Sequence, residues 1–145
     1  MNILIINGCN LNFIGIREPE IYGKQSYKDL KRYILNLKKE YHFNYKMVQS
    51  NHEGKIIDLI QKAYRKYDGI VINPGAFTHY SIGILDAIKA VNIPTIEVHL
   101  SDINKREDFR KISVISSACT KTISGLHFEG YKEAIKVLLE GDHNA

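Results

Sequence analysis

In the run Ile-Glu-Val-His-Leu-Ser, residues 96–101, a histidine follows a glutamate by two positions. Along an extended strand such a pair points to one side. His99 can give or take a proton near neutral pH, and Glu97 can hold its ring in one tautomer and favour the cation. A lone strand-end histidine more often bonds a backbone carbonyl, but beside a carboxylate it reads as a general acid. A second histidine, His79, ends Asn-Pro-Gly-Ala-Phe-Thr-His ahead of a helix start, where it can donate to a substrate oxygen. His42, His52, His127 and His143 have weaker settings and are read as structural or solvated.

A matching base is found in residues 7–23, where Arg17 and Tyr22 lie near or between two glycines, Gly15 and Gly23. This segment joins a strand pattern to a helix pattern. Such links usually take about 2–6 residues, so one this long reads as an active-site cover with glycine hinges. A phenol titrates near pKa 10, and serving as a base at pH 7 needs a drop of about 3 units, or about 4 kcal/mol. One cation within about 4–6 Å supplies roughly 1–3 units. Arg17 alone is marginal; Arg106 and Arg110, in Lys-Arg-Glu-Asp-Phe-Arg, are candidates for a second cation.

These side chains need a scaffold, and short apolar runs alternating with helical patterns supply one. Strands are expected at 2–6, 43–49, 69–72 and 94–98, with a weaker one somewhere in 114–124. Tyr27, Leu30, Tyr33, Ile34, Leu37 and Tyr41 recur at helical spacing from near Ser26 onward. Ile56, Ile57, Leu59, Ile60, Ala63 and Tyr64 form a second helical face. Ser81 can cap a third helix holding Ile84, Leu85, Ile88 and Val91. A last helix opens at Gly130 or Tyr131 and runs through Leu139, with a tail expected to fray after Glu140.

Strand and helix alternating in this way imply a parallel sheet covered on both faces. The expected fold class is α/β: a flavodoxin-like three-layer α/β/α sandwich with a five-stranded parallel sheet, one catalytic domain over residues 1–145. Ligands in such sheets sit beyond the carboxyl ends of the strands, where strand order reverses. Residues 7–12, 73–79 and 97–101 follow three strand ends and should converge on one crevice.

Composition narrows the function classes. With 145 residues, 44% hydrophobic and 25% charged, the chain has the makeup of a globular domain that can bury a core. The formal charge of +4 comes from lysines scattered along amphipathic helices, such as Lys28, Lys31, Lys38 and Lys39. That pattern is a solvated face rather than a nucleic-acid footprint, and it suits a small anionic substrate. Cys9 and Cys119 are read as reduced thiols, which points to the cytoplasm. The opening apolar run is too short for an export signal, and no run is long enough to span a membrane. Phosphate-loop and dinucleotide glycine patterns are missing, and no serine sits in a nucleophile elbow. His79, Glu97 and His99 lack companions at ligand spacing, so no metal and no cofactor is expected.

Together these segments resemble the type II 3-dehydroquinate dehydratases, over nearly the whole chain. The motifs are Asn-Gly-x-Asn-Leu-Asn at 7–12, Arg-Glu-Pro-x-Ile-Tyr-Gly at 17–23 and Asn-His-Glu-Gly at 51–54. They continue with Asn-Pro-Gly-Ala-Phe-Thr-His at 73–79, Glu-Val-His-Leu-Ser at 97–101 and Arg-Glu-x-Phe-Arg at 106–110. The resemblance implies anti elimination of water from 3-dehydroquinate to 3-dehydroshikimate through an enolate, in the shikimate pathway of aromatic amino acid biosynthesis. It implies Tyr22 as the base at C2, Arg17 as its support, His99 as the acid for the departing hydroxyl and Glu97 as its orienting partner. Asn10 would hold a water near the enolate oxygen. Asn73, His79, the Leu100–Ser101 backbone and Arg110 would bind substrate. Asp86 would be lent by a neighbouring subunit in a dodecamer built of trimers.

Three positions depart from the family pattern. Cys9 replaces a usual proline, Leu85 precedes Asp86 where a basic residue is expected, and His127 stands where glycine is common. The Schiff-base enzyme of the same activity resembles an eight-stranded barrel of about 250 residues, too long for this chain, so lysine-independent chemistry is expected. A rival reading, a non-enzymatic module binding a small anion in the same crevice, explains fold and charge but not the pairing of Arg17 with Tyr22.

Overall fold

The structure, a computed structural model, describes residues 1–16, 18–22 and 24–141, without the side chains of Pro19 and Tyr22. Five strands, β1 (Asn2–Asn7), β2 (Asn44–Gln49), β3 (Gly69–Asn73), β4 (Thr95–His99) and β5 (Lys121–Ser124), form one parallel sheet in the order β2-β1-β3-β4-β5. This is the flavodoxin-like order, with its reversal between β1 and β3. The helices are a single turn, α1 (Pro19–Tyr22), then α2 (Tyr27–Tyr41), α3 (Glu53–Lys62), α4 (Ile82–Val91) and α5 (Glu129–Glu140).

Alternation along the strands sorts their side chains between two cores. Ile3, Ile5, Val71, Ile96 and Val98 pack with α2 and α5 through Leu30, Ile34, Tyr131 and Ile135. Leu4, Ile6, Ile70 and Ile72 face the other way, toward Ile56 and Ile60 of α3 and Ile84 and Ile88 of α4. Burial on both faces explains the continuous apolar runs in β1 and β3.

Helix starts follow local chemistry. Ser26 and Asp29 make a reciprocal capping box at α2, and the Ser81 hydroxyl accepts the Ile84 N–H at α4. Lys28, Lys31 and Lys39 lie exposed on α2. Both cysteines are free. No described helix is long and apolar enough to cross a membrane.

Several expected boundaries move. Phe43 precedes β2 as a buried core residue, Pro94 precedes β4 and His99 is its last residue. The weak fifth strand is confined to Lys121–Ser124, because residues 103–118 run mostly through short 3-10 turns. The second helix starts at Glu53 and ends at Lys62, with Ala63 as its cap, and the last one opens at Glu129. The link between β1 and α2 is not structureless: it holds a 3-10 turn, Leu11–Phe13, as well as α1. Arg17, Gly23 and most of the tail expected to fray lie outside the described residues.

Candidate active site

Register brings the strand ends abreast. Gln49, Asn7 and Asn73 are neighbours across β2, β1 and β3, and Ile72 pairs with Glu97, so His99 stands one residue pair further out on β4. Beyond these ends lies a crevice of about 580 Å³, in part continuous with solvent. Asn10, Asn73, His79, His99, Leu100, Ser101, Arg106 and Arg110 all line it.

Glu97 is fully buried and His99 nearly so. The His99 Nε2–H donates to Glu97 Oε2 at 2.5 Å. The same oxygen accepts from the Thr78 and Ser113 hydroxyls at 2.6 and 2.8 Å, while Thr122 reaches Oε1 at 3.2 Å. Burial acts to raise the Glu97 carboxyl, but the hydrogen bonds from His99, Thr78 and Ser113 and the charge of His99 outweigh it. The group is held below its ordinary value as a carboxylate. With Nε2 spent on Glu97, Nδ1 is the ring nitrogen left for a ligand. Donating a proton from it requires the imidazolium.

His79 does not cap the turn after it. Its Nδ1 contacts the Ile112 carbonyl at 2.7 Å, and a carbonyl can only accept, so Nδ1 carries the proton. Nε2 then accepts from a ligand hydroxyl when the ring is neutral and donates only when it is charged, a refinement of the donor role expected for it.

The segment after β4 folds back over the crevice. Val114 N–H donates to the Thr78 carbonyl at 2.7 Å, which anchors the arginine-bearing stretch. Arg106 Nη1 reaches Ser101 Oγ at 3.4 Å, and Nη2 lies 3.8 Å from Glu18, joining β4's end to the segment that carries Tyr22. Arg110 Nε lies 2.7 Å from the Glu107 carboxylate, in a geometry that makes no hydrogen bond. Arg110 lines the crevice, where a guanidinium suits an anionic or hydroxyl-bearing ligand.

Beneath the crevice floor runs a directional chain that sequence reasoning missed. The Tyr131 hydroxyl donates to Asn7 Oδ1 at 2.6 Å and accepts from Asn73 Nδ2 at 3.0 Å. Asn73 Oδ1 accepts the Gly75 N–H, and Asn7 Nδ2 donates to the Tyr27 hydroxyl. A phenol has one hydrogen, so its donation to Asn7 fixes which way the Asn73 amide faces. Burial pushes the Tyr131 phenol far above its usual range, so it stays protonated as this chain requires. From the sequence, Tyr131 reads only as a candidate start of the last helix. Ser113 carried no signal at all, whereas Thr78 at least lay inside a motif.

Close packing holds the first loop against β3. A Cβ on Gly8 would sit 2.1 Å from the Pro74 carbonyl oxygen, and Gly75, at φ +64°, has Cys9 O 2.8 Å from where its Cβ would be. Only glycine allows these approaches. Cys9 is accommodated beside them and lines the crevice.

One expected residue, Asp86, is not gathered in. Asp86 is exposed on α4, away from the crevice, and Leu85 beside it is half-buried. Arg17 and the Tyr22 side chain lie outside the described residues. His127 is at φ +51°, the left-handed region, which explains why glycine suits that position. Among the described residues no group of three or more His, Cys, Asp or Glu could hold a metal ion.

The chain matches the family model of dehydroquinase class II over residues 1–139. It is 56% identical over 139 residues to a 3-dehydroquinate dehydratase of Caldicellulosiruptor bescii, covering 95% of this chain and 96% of that one. It is 54% identical over 138 residues to the enzyme of that name from Clostridium acetobutylicum, covering 95% and 96%. The crystal structure of a type II dehydroquinase from Butyrivibrio crossotus superposes with a TM-score of 0.94 at 52% identity, covering 95% of this chain and 97% of that one.

Proposed function

Because the chain belongs to the class II dehydroquinases, we propose that it removes water from 3-dehydroquinate to give 3-dehydroshikimate, a step of aromatic amino acid biosynthesis. The observation that carries this reading is the buried His99–Glu97 pair. It opens, at the end of β4, onto a crevice also lined by Asn10, Asn73, His79 and Arg110.

Elimination β to a ketone needs a base for the α-proton, stabilisation of the developing enolate and an acid for the leaving hydroxyl. In our reading Tyr22 is the base, kept ionised by Arg17 with Arg106 as further support. The proton passes from C2 of the substrate to the phenolate, and the electron pair moves into the ketone oxygen as enolate. Asn10 holds a water against that oxygen. Collapse of the enolate expels the C1 hydroxyl, which takes the His99 proton and leaves as water. Glu97 orients His99. Asn73, His79, the Leu100–Ser101 backbone and Arg110 together bind the substrate's carboxylate and ring hydroxyls.

In this reading Asp86, exposed on α4, completes a neighbour's site in a dodecamer of trimers, and the protein works in the cytoplasm without metal or cofactor. The test is to add 3-dehydroquinate to the purified protein and follow the ultraviolet absorbance of the conjugated enone. A rise that His99→Ala abolishes is expected; no rise from folded protein would overturn the assignment.

A further inference from the structure

The motif at 51–54 has no part in the reaction as described, yet its first residue touches the loop that carries Asn10. Asn10 has φ 67° and ψ 0°, a left-handed backbone, and its side chain makes no cap bond to the turn that follows. Asparagine tolerates this region better than most residues, but it still has to be held there. Asn51 Oδ1 accepts the Asn10 backbone N–H at 2.9 Å. The same oxygen accepts from Gln49 Nε2 at 3.1 Å, and Gln49 Nε2 also reaches the Gly8 carbonyl at 3.2 Å. A backbone N–H can only donate, so the Asn51 amide must turn its oxygen toward Asn10.

The other side of the loop is clamped independently. Gly8 N–H donates to the Asn73 carbonyl at 2.7 Å, and Ser50 N–H to the Asn7 carbonyl at 2.9 Å. The loop is therefore pinned by β3 on one side and by the end of β2 on the other. Asn51 is not among the described residues that line the crevice.

We propose that Asn51 is a positioning residue that sets Asn10 in its left-handed conformation and so places the Asn10 side chain for the reaction. This rests on the reading of Asn10 as the residue that holds water at the enolate oxygen. A group that acts only on the transition state should affect kcat more than KM.

The experiment measures kcat and KM with 3-dehydroquinate for Asn51→Ala, Asn51→Asp, Asn10→Ala and the double alanine variant. Misplacement of a reacting group costs up to about 100-fold, so Asn51→Ala should lower kcat roughly 10- to 100-fold with KM nearly unchanged. Asn51→Asp keeps an acceptor oxygen and should recover most of that loss. The double variant should be no slower than Asn10→Ala, since the two residues act through one group. Asn51→Ala at full kcat beside an impaired Asn10→Ala would overturn this inference and leave the role of Asn10 standing, as would fully additive losses. Asn10→Ala at full kcat would overturn the reading of Asn10 itself, and this inference with it.

Discussion

Glu97 Oε2 lies 2.5 Å from His99 Nε2 because the two residues are two apart on β4 and share one side of it. Thr78 and Ser113 complete the shell around that oxygen. Glu97→Gln removes the carboxylate that holds the His99 ring, and general acid catalysis is typically worth about 10²–10⁴-fold. We expect kcat to fall by about 10² or more, measured by enone absorbance.

The same carboxylate sets a pH dependence of stability. Its folded-state value lies below the ordinary 4.5. Its contribution is therefore complete above about pH 4.5 and is lost as the pH falls through the folded value. Urea unfolding at intervals from pH 7 to 3 should show the wild-type protein losing more stability in the acid range than Glu97→Gln. Parallel curves would contradict this.

Tyr22→Phe deletes one oxygen needed only for proton transfer. Turnover should fall below detection while calorimetric affinity for 3-dehydroquinate stays within about threefold, under half of the tenfold step that 1.4 kcal/mol represents. Unchanged turnover would remove Tyr22 as the base.

Tyr131→Phe strips Asn7 Oδ1 of its donor and frees the Asn73 amide to turn. Leaving a buried polar group unpaired costs about 1–3 kcal/mol. Urea unfolding should show a loss in that range, and KM should rise because Asn73 lines the crevice.

His127→Gly should stabilise the protein. A left-handed backbone costs a non-glycine residue about 1–2 kcal/mol, offset in part by the extra chain entropy of glycine. We expect a net gain of roughly 0.5–1 kcal/mol and a melting temperature a few degrees higher by calorimetry.

Sodium borohydride added with saturating 3-dehydroquinate should leave the enzyme active. None of the described residues lining the crevice is a lysine, so no amine is placed there to form a reducible imine. Inactivation that depends on substrate would contradict the enolate route.

Much of this protein was legible in one dimension. The apolar run in β3 announced a strand covered on both sides, and helical spacing, with Ser81 as a cap, marked the helices. The polar turns after β1, β3 and β4 marked the crevice, because chemistry at strand ends needs residue types that cores avoid. The boundaries of β5 were harder to read, since a short edge strand buries little and leaves a weak pattern. Such information is local: periodicity, capping and motif spacing are all properties of neighbours in the chain.

Tertiary structure alone decided which polar groups meet. Tyr131 and Asn7 are 124 positions apart and Asn51 and Asn10 are 41 apart, and neither pairing leaves any trace in spacing. Each is a consequence of parallel register, which sets Gln49, Asn7 and Asn73 side by side and brings the loops beyond them within reach. A hydrogen bond needs its partners within about 3 Å and in line, a condition that only the packed sheet imposes.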